Sequence, residues 1–327
     1  MKGIFSSRLV GILLALAVSG VPAHAQQARS FVSNAVGNDA NAPNCLRNAP
    51  CRTFQVAHDS TLPLGEVTVL DPGSYGSVTI AKNISIINDG IGEAGVLVSG
   101  GGKGIIINAG PTDAVTLRGL TIKGIGFGGG AGIVVNSGFS VAIENCVVRN
   151  LTTASSTPAG VRDLTIGSGI VFQPTLAGGV ADLDITNTVV TNNEIDGIDV
   201  TPSGSGGVHV VFNRVTGNGN GLNGFAFLTT SVVISAAVES SVAAHNSMAG
   251  FFVNGAGGPV SLMVTRSVVE GNNIGFDALT NELDVGGSAI TGNGVTWTGH
   301  VVSFGDNYVH GNFDGDPGPP GGLFARK

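Results

Sequence analysis

The chain has 327 residues, of which 53 are glycine and only 11% are charged, and its formal net charge is −7. A protein that binds nucleic acid by neutralising phosphates is usually basic, so this balance argues against a nucleic-acid partner. Regular runs of valine, isoleucine and phenylalanine argue against a disordered glycine-rich chain, because disordered segments lack them.

Residues 1–25 have the pattern of a signal peptide. Lys2 and Arg8 form a basic start, residues 9–18 form a short apolar stretch, and residues 23–25 match a small-x-small cleavage site. The apolar stretch is too short to span a membrane as a stable helix, and no later stretch qualifies as a membrane span. We therefore expect an exported protein that is either periplasmic or extracellular.

Residues 26–65 are predicted to form an N-terminal arm and a capping helix. Cys45 and Cys51 lie six residues apart, and an oxidising compartment favours a disulfide between them. Cys146 is left over and is predicted to be a buried free thiol. Residues 53–62 are predicted to form a short amphipathic helix that covers the open end of a solenoid.

Residues 66–312 are predicted to form a repeat domain, whose period is regular from Gly132 onward and looser in residues 78–132. Gly197, Gly224 and Gly250 recur at intervals of 27 and 26 residues, and each precedes a short apolar strand. Runs of three to six apolar residues are too short for helices, which excludes helix-pair repeats. A propeller blade takes about 40 residues, so this period fits one three-strand coil of a parallel β-helix. The predicted fold class is therefore all-β, a parallel β-helix solenoid.

Stacked coils place like residues over like residues. Phe225, Phe251 and Phe276 are therefore predicted to form one buried column. An asparagine recurs once per coil and is expected to hydrogen-bond along its own column and satisfy backbone groups at the corner. This asparagine occurs at positions 150, 192, 218, 246, 272, 293 and 312.

Two segments depart from the repeat. Residues 151–168 form the longest insertion and carry Arg162 and Asp163. Long loops on a rigid scaffold often hold function, although an inert surface loop fits equally well. Residues 313–322 have glycine or proline at most positions, which disfavours strands, and residues 313–327 are predicted to form a flexible tail.

The start of the repeat carries a family resemblance. Cys-Arg-Thr-Phe at residues 51–54 is followed by a valine-rich strand at residues 66–70 and by Pro-Gly-Ser-Tyr at residues 72–75. This order resembles the opening of pectin-lyase-like right-handed β-helix proteins, and most closely the uncharacterised exported β-helix repeat proteins of proteobacteria. The resemblance implies the right hand of the coil. It implies only a weak connection to polysaccharide, since the fold hosts lyases, hydrolases, esterases, adhesins and binding proteins.

The catalytic motifs of that superfamily are missing from the sequence. Asn187-Thr188 is followed by Val189 where polygalacturonases have aspartate, and Trp297 lacks the Asp-His that follows tryptophan in pectate lyases. Asp199 and Asp277 would lie three coils apart, about 14 Å, which is too far for an inverting pair. We therefore expect no cofactor and no metal, and we leave open whether the protein is an enzyme.

One outward-facing group is the candidate site. Strand alternation directs Asp182, Asp184 and His209 outward. If Leu183 lies under Val208, then Asp184 lies under His209 at about 4.8 Å. Asp184 and His209 are accordingly the candidate catalytic residues, as an acid–base group. A solvated column with one weak ion pair is the alternative.

The insertion at residues 151–168 precedes this coil and could fold over the same face. The candidate binding residues are therefore Asp182, Asp184, His209, Arg162 and Asp163. We expect an exported, non-catalytic surface, matrix or adhesion component whose partner is a polysaccharide or cell-surface glycan. A polysaccharide lyase or glycoside hydrolase with an unfamiliar site, and a glycan-binding module, are the alternatives.

Overall fold

The computed structural model describes residues 26–126, 129–153 and 166–323. The predicted signal peptide, Arg162 and Asp163 lie outside these residues. No helix in the described part of the chain is long and apolar enough to cross a membrane.

The described chain is built almost entirely from short strands. The first half contains β1 (Gln27–Val32), a 3-10 helix (Asp39–Asn41), α1 (Phe54–Ser60), β2 (Thr61–Val69), β3 (Gly73–Ser74), β4 (Val78–Ile80), β5 (Ile84–Ile87), β6 (Ala94–Val98), β7 (Gly102–Asn108), β8 (Ala114–Arg118), β9 (Leu120–Gly124), β10 (Gly130–Ser137), β11 (Ser140–Glu144) and β12 (Val147–Arg149). The second half contains β13 (Ile170–Phe172), β14 (Thr175–Thr186), β15 (Val189–Thr191), β16 (Ile198–Val200), β17 (Ser203–Asn213), β18 (Thr216–Asn218), β19 (Phe225–Leu228), β20 (Val233–Glu239), β21 (Val242–Ala244), β22 (Ala249–Asn254), β23 (Val260–Thr265), β24 (Val268–Glu270), β25 (Ile274–Gly286), β26 (Ala289–Thr291), β27 (Val295–Ser303) and β28 (Tyr308–Val309).

The strands stack coil on coil in two parallel sheets. One sheet has 18 strands and takes the first two strands of each coil, which are continuous as β25 and β27 in the last coils, and the other has 10 strands and takes the third. The coil β16, β17, β18 pairs in register with β19, β20, β21 on the next turn. The protein is a right-handed parallel β-helix, which confirms the predicted fold class.

The apolar core is a set of stacked columns. Phe225, Phe251 and Phe276 are fully buried, and their ring centroids lie 4.9 and 5.3 Å apart in successive coils. The predicted phenylalanine column is therefore confirmed. Phe252 points to the other side of its strand but is also buried, so burial on this sheet is not restricted to the inward side.

Asparagines form a hydrogen-bonded ladder at one corner of the coil. The Nδ2 of Asn246 donates to Asn272 Oδ1 at 2.9 Å, and Asn272 Nδ2 donates to Asn293 Oδ1 at 3.0 Å. Each Oδ1 also accepts the backbone N–H of the preceding coil, as Asn272 does from Asn246 at 3.0 Å. The ladder runs through Asn193, Asn220, Asn246, Asn272, Asn293 and Asn312.

In its first coils, the ladder is formed by asparagines other than the predicted ones. Asn150 and Asn192 occupy the residue before the ladder and have φ of 58° and 55°. They turn the corner in the left-handed region, which asparagine tolerates better than most residues. Asn193 and Asn220 supply the ladder instead of Asn192 and Asn218.

Hydroxyls form a second ladder at another corner. Ser241 Oγ accepts the backbone N–H of Val215, and Ser267 Oγ accepts that of Ser241, each at 3.1 Å. Ser288 Oγ continues the row by accepting from Ser267 at 3.1 Å. Both ladders give buried backbone groups a partner where the strands end.

The N-terminal end is capped by α1 and a disulfide. Cys45 and Cys51 are bonded and Cys146 is a buried free thiol, as predicted. The sheet begins before the predicted boundary at residue 66, because β1 belongs to the arm and β2 starts at Thr61. The backbone of residues 45–51 hydrogen-bonds to Phe31 and covers the outer edge of β1.

The C-terminal segment packs against the last coil up to residue 323, where a flexible tail was predicted. Asp314 accepts hydrogen bonds from the backbone N–H and the hydroxyl of Thr296, and Trp297 Nε1 donates to the carbonyl of Pro317. Asp316 Oδ1 accepts from the backbone N–H and Nδ2 of Asn312 at 2.9 and 2.8 Å. A carboxylate only accepts hydrogen bonds, so Asp316 terminates the asparagine ladder without leaving a donor unpaired.

Adjacent asparagines allow a matched test of the ladder. Asn272→Ala removes the acceptor for Asn246 and leaves buried amide groups without partners, so we expect a loss of roughly 2–4 kcal/mol in the free energy of unfolding. Asn273→Ala changes an exposed neighbour and should cost less than about 0.5 kcal/mol. Urea unfolding of both variants measures the difference, and equal losses would show that the ladder does not stabilise the fold.

A buried histidine joins the capping helix to the next coil. His58 is 5% exposed, its Nδ1 lies 2.8 Å from Asp59 Oδ1, and its Nε2 accepts from the Ala81 backbone N–H at 3.3 Å. A neutral ring with its proton on Nδ1 satisfies both contacts. Burial lowers the pKa of His58, and Lys82 lowers it further, against the opposing effect of Asp59.

This lowered pKa predicts an acid-sensitive cap. The unfolded chain takes up a proton on this ring near pH 6.5 and the folded one only at lower pH, so stability should fall as the pH drops below 6.5. His58→Gln should flatten this dependence below pH 6.5, because it removes the group that takes up a proton only in the unfolded chain. Denaturant midpoints across this range provide the measurement, and an identical slope in His58→Gln would contradict the assignment.

Candidate functional site

An outward-facing polar column crosses the strands of the large sheet. Parallel pairing of successive coils aligns one residue from each of five strands, which are β11, β14, β17, β20 and β23. The aligned residues are Ser140, Asp182, His209, Ser235 and Ser261. Their alternation with buried Val141, Leu183, Val210, Ala236 and Leu262 fixes the outward direction.

The partner of His209 is Asp182, whereas Asp184 was predicted. His209 Nδ1 lies 3.1 Å from Asp182 Oδ1, and Leu183 pairs with Val210 rather than with Val208. A slip of two residues keeps every side chain on its predicted face, so alternation alone does not exclude it. The pair is a surface contact, with side-chain exposures of 63% for His209 and 33% for Asp182, and such pairs contribute little stability.

Asp184 lies beside this pair without joining it. It is aligned with Val211 of the next coil and shares the outward face of β14 with Asp182. Partial desolvation, and then the negative charge of Asp182, raises the pKa of Asp184. The two aspartates therefore differ in their surroundings. Asp182 contacts a histidine, whereas the raised pKa of Asp184 makes its carboxyl easier to protonate.

An apolar cavity borders the same column. It has a volume of about 670 Å³ and lies between the loop at residues 137–139 and the segment at residues 174–180. Phe139 is 46% exposed and Val180 is 42% exposed on its walls. Val180 and Asp182 both point outward from β14, and Asp182 donates its backbone N–H to the Phe139 carbonyl at 2.8 Å. The cavity and the Asp182–His209 pair are therefore contiguous.

A flap forms one wall of this cavity. Residues 175–180 protrude from the coil and stack on residues 203–207 of the next one. Gly178 and Gly179 have φ of 97° and 78°, a backbone that other residues adopt only with strain, and the extra residue there forms a bulge in the pairing. The bulge aims Val180 outward over the cavity.

Phe139 was not predicted as a site residue. Simple alternation places it on the inward side with Val141 and Ile143. Gly138, at φ 148°, turns the chain immediately before it and directs the ring to the surface. The sequence signal is the glycine that interrupts the alternation at the strand start.

A second, polar cavity of about 660 Å³ lies at the opposite ends of the early strands. Arg118 lines this cavity, and its guanidinium already contacts Asp89 Oδ1 through Nη2 at 2.7 Å and through Nε at 3.0 Å. Glu144 Oε2 lies 3.9 Å from Nη1 of the same guanidinium. These charges satisfy one another, and the cavity offers no exposed aromatic ring among its lining residues. The apolar cavity is therefore the better candidate.

The remaining carboxylates do not converge with this group. Asp199 and Asp277 lie in one column with Ala226 and Phe252 between them, as predicted, so they are three coils apart. Within residues 26–126, 129–153 and 166–323, no group of three His, Cys, Asp or Glu side chains is arranged to hold a metal ion.

Comparison with known proteins supports the fold. No family model matches the chain, and no curated protein sequence matches it. Among solved structures the chain is similar to the pectate lyase Pel9A, with a TM-score of 0.52 and 16% sequence identity over 83% of this chain and 76% of that one. At this identity the likeness shows a shared parallel β-helix fold and nothing of the chemistry.

Proposed function

We propose that this protein binds polysaccharide at the Phe139 cavity and the adjoining Asp182–His209 pair, and that it acts as an exported, non-catalytic surface or matrix component. The observation that carries the proposal is an exposed aromatic ring in an apolar cavity that is contiguous with an exposed carboxylate–imidazole pair. An aromatic face packs against the C–H face of a sugar ring, while carboxylate and imidazole groups hydrogen-bond to its hydroxyls.

Charge favours a neutral glycan over an acidic one. The whole chain carries a net charge of −7, and Asp182 and Asp184 lie beside the cavity. Carboxylates repel a polyanion, and this repulsion is stronger in a cavity, where water and salt screen charges less than at an open surface. We therefore expect neutral polysaccharides to bind more tightly than polygalacturonate, although the structural neighbour is a pectate lyase.

Substitution of the ring and the imidazole tests this function. Phe139→Ala and His209→Ala should each weaken binding to neutral polysaccharides, the former by roughly tenfold, which corresponds to about 1.4 kcal/mol. The matched controls are Phe313→Ala and His310→Ala, which remove an 85% exposed ring and a 98% exposed imidazole at the far end of the solenoid.

Affinity electrophoresis in gels that contain xylan, β-glucan, mannan or polygalacturonate measures the binding. Retardation of the wild type and both controls, with loss in the two site variants, is the expected pattern. Wild-type mobility that is unaffected by every gel, or retardation that survives both site substitutions, would overturn the proposal.

A second candidate function is polysaccharide hydrolysis. Asp182 and Asp184 point outward from one strand two residues apart, so their Cα atoms are about 6.6 Å apart along the strand, a spacing compatible with two inverting carboxyls. The raised pKa of Asp184 suits a general acid, and Asp182, which contacts His209 on the same strand face, is then the candidate base.

Product analysis separates the two functions. If the protein hydrolyses a glycan, incubation should release reducing ends, and Asp184→Asn should reduce the rate by at least about a hundredfold while leaving binding intact. Absorbance of unsaturated ends identifies a lyase instead. Release that persists in Asp184→Asn and Asp182→Asn would exclude these carboxylates, and no release from any polysaccharide would favour the non-catalytic role.

A further inference from the structure

A third cavity lies farther along the same solenoid. It has a volume of about 250 Å³ and is lined by uncharged side chains. The lining residues come from three consecutive coils at the ends of β16, β19 and β22, and include Thr201, Ser203, Leu228, Thr229 and Asn254.

A row of uncharged residues connects this cavity to the Phe139 cavity. At the strand ends of the earlier coils, Gln173 Nε2 donates to Asn136 Oδ1 at 2.9 Å, and Asn136 Nδ2 donates to Asn108 Oδ1 at 2.8 Å. Thr201 continues the row, since it follows Val200, which pairs with Phe172, and its backbone N–H donates to the Phe172 carbonyl at 2.8 Å. Leu228 follows Phe227, which pairs with Val200, and Leu228 itself pairs with Asn254. We refer to Asn108, Asn136, Gln173, Thr201, Leu228 and Asn254 as the track.

Both cavities border the track. The residues that follow Asn108, Asn136 and Gln173 in sequence, namely Ala109, Ser137 and Pro174, line the Phe139 cavity. Thr201, Leu228 and Asn254 themselves line the smaller cavity. The middle coils of the two cavities are three coils apart, about 14 Å, along the solenoid axis.

We infer that the two cavities are subsites of one site for an extended, uncharged polysaccharide that lies along the solenoid axis over the track. The inference rests on the proposed function and adds a second subsite, the direction of the ligand and its minimum length. Amides and hydroxyls offer both donors and acceptors to sugar hydroxyls. The hydrogen bonds between Gln173, Asn136 and Asn108 order these amides before a ligand arrives, which lowers the entropic cost of binding.

The inference makes affinity depend on ligand length. A disaccharide centred on one cavity does not fill the other, because the centres of the cavities are about 14 Å apart along the stack. Their facing walls meet at Thr175 and Ser203, whose hydroxyls lie 3.1 Å apart, so a longer chain passes from one cavity into the other. An octasaccharide reaches both, so contacts at the second cavity act at high effective concentration once the first is filled. We expect affinity to rise steeply between these lengths.

Calorimetric titration with length series of cello-, xylo- and manno-oligosaccharides tests this. Asn254→Ala and Thr201→Val should weaken octasaccharide binding by roughly tenfold and leave disaccharide binding unchanged. Phe139→Ala should weaken both lengths. Asn273→Ala, which changes an exposed asparagine at the other end of the coil, is the control and should weaken neither.

Three outcomes are distinct. Length-dependent loss in the two track variants supports the inference. Affinity that is independent of length, with Phe139→Ala still harmful and both track variants neutral, overturns the inference and leaves the proposed function standing. An absence of binding by every length in all three series overturns both.

Discussion

Side-chain hydrogen bonding at the corners of the coil is the interaction on which this structure depends. Where strands end, backbone N–H groups lose their strand partners inside a closely packed interior, and an unpaired buried group is costly. The Asn193–Asn312 ladder and the Ser241–Ser288 row supply those partners in every coil they cross. The same asparagine also bonds to the next asparagine, so neighbouring coils are joined by side chains as well as by backbone.

The ends of the ladder explain features that lie far apart in sequence. At the C-terminal end the Asp316 carboxylate takes the last donors, and the hydrogen bonds from Asn312 and Gly311 hold the pKa of Asp316 below its usual range. At the N-terminal end the disulfide loop and α1 cover the first strands. At both ends a strand edge that is open to pairing with another chain is covered, by the disulfide loop on β1 and by Gly321 and Gly322 on β27.

A stacked coil also determines what its surface can do. One outward residue per coil forms a column at about 4.8 Å spacing, so polar groups line up along the axis instead of converging on a point. Such a surface suits a long ligand that touches many coils. The Phe139 cavity is an exception, since the Gly178–Gly179 bulge and the turn at Gly138 depart from the repeat and create concavity.

The sequence predicted features that depend on periodicity and missed those that depend on local departures from it. The period predicted the β-helix and the phenylalanine column, because like residues must stack, and the cysteine spacing predicted the disulfide. Alternation placed Asp182, Asp184 and His209 on one face but left a two-residue slip open, and so Asp184 was paired with His209 in place of Asp182. Phe139 was missed because Gly138 reverses its direction, and the packing of residues 313–323 was missed because their hydrogen bonds come from irregular backbone.

A crystal structure of the protein soaked with a neutral oligosaccharide, such as xylohexaose, tests the central claim most directly. We expect density for a sugar ring against Phe139, with hydroxyls within hydrogen-bonding distance of Asp182 or His209, and for further rings that run along the solenoid axis toward Asn254. Ordered sugar density at another surface, with the Phe139 cavity empty, would contradict it.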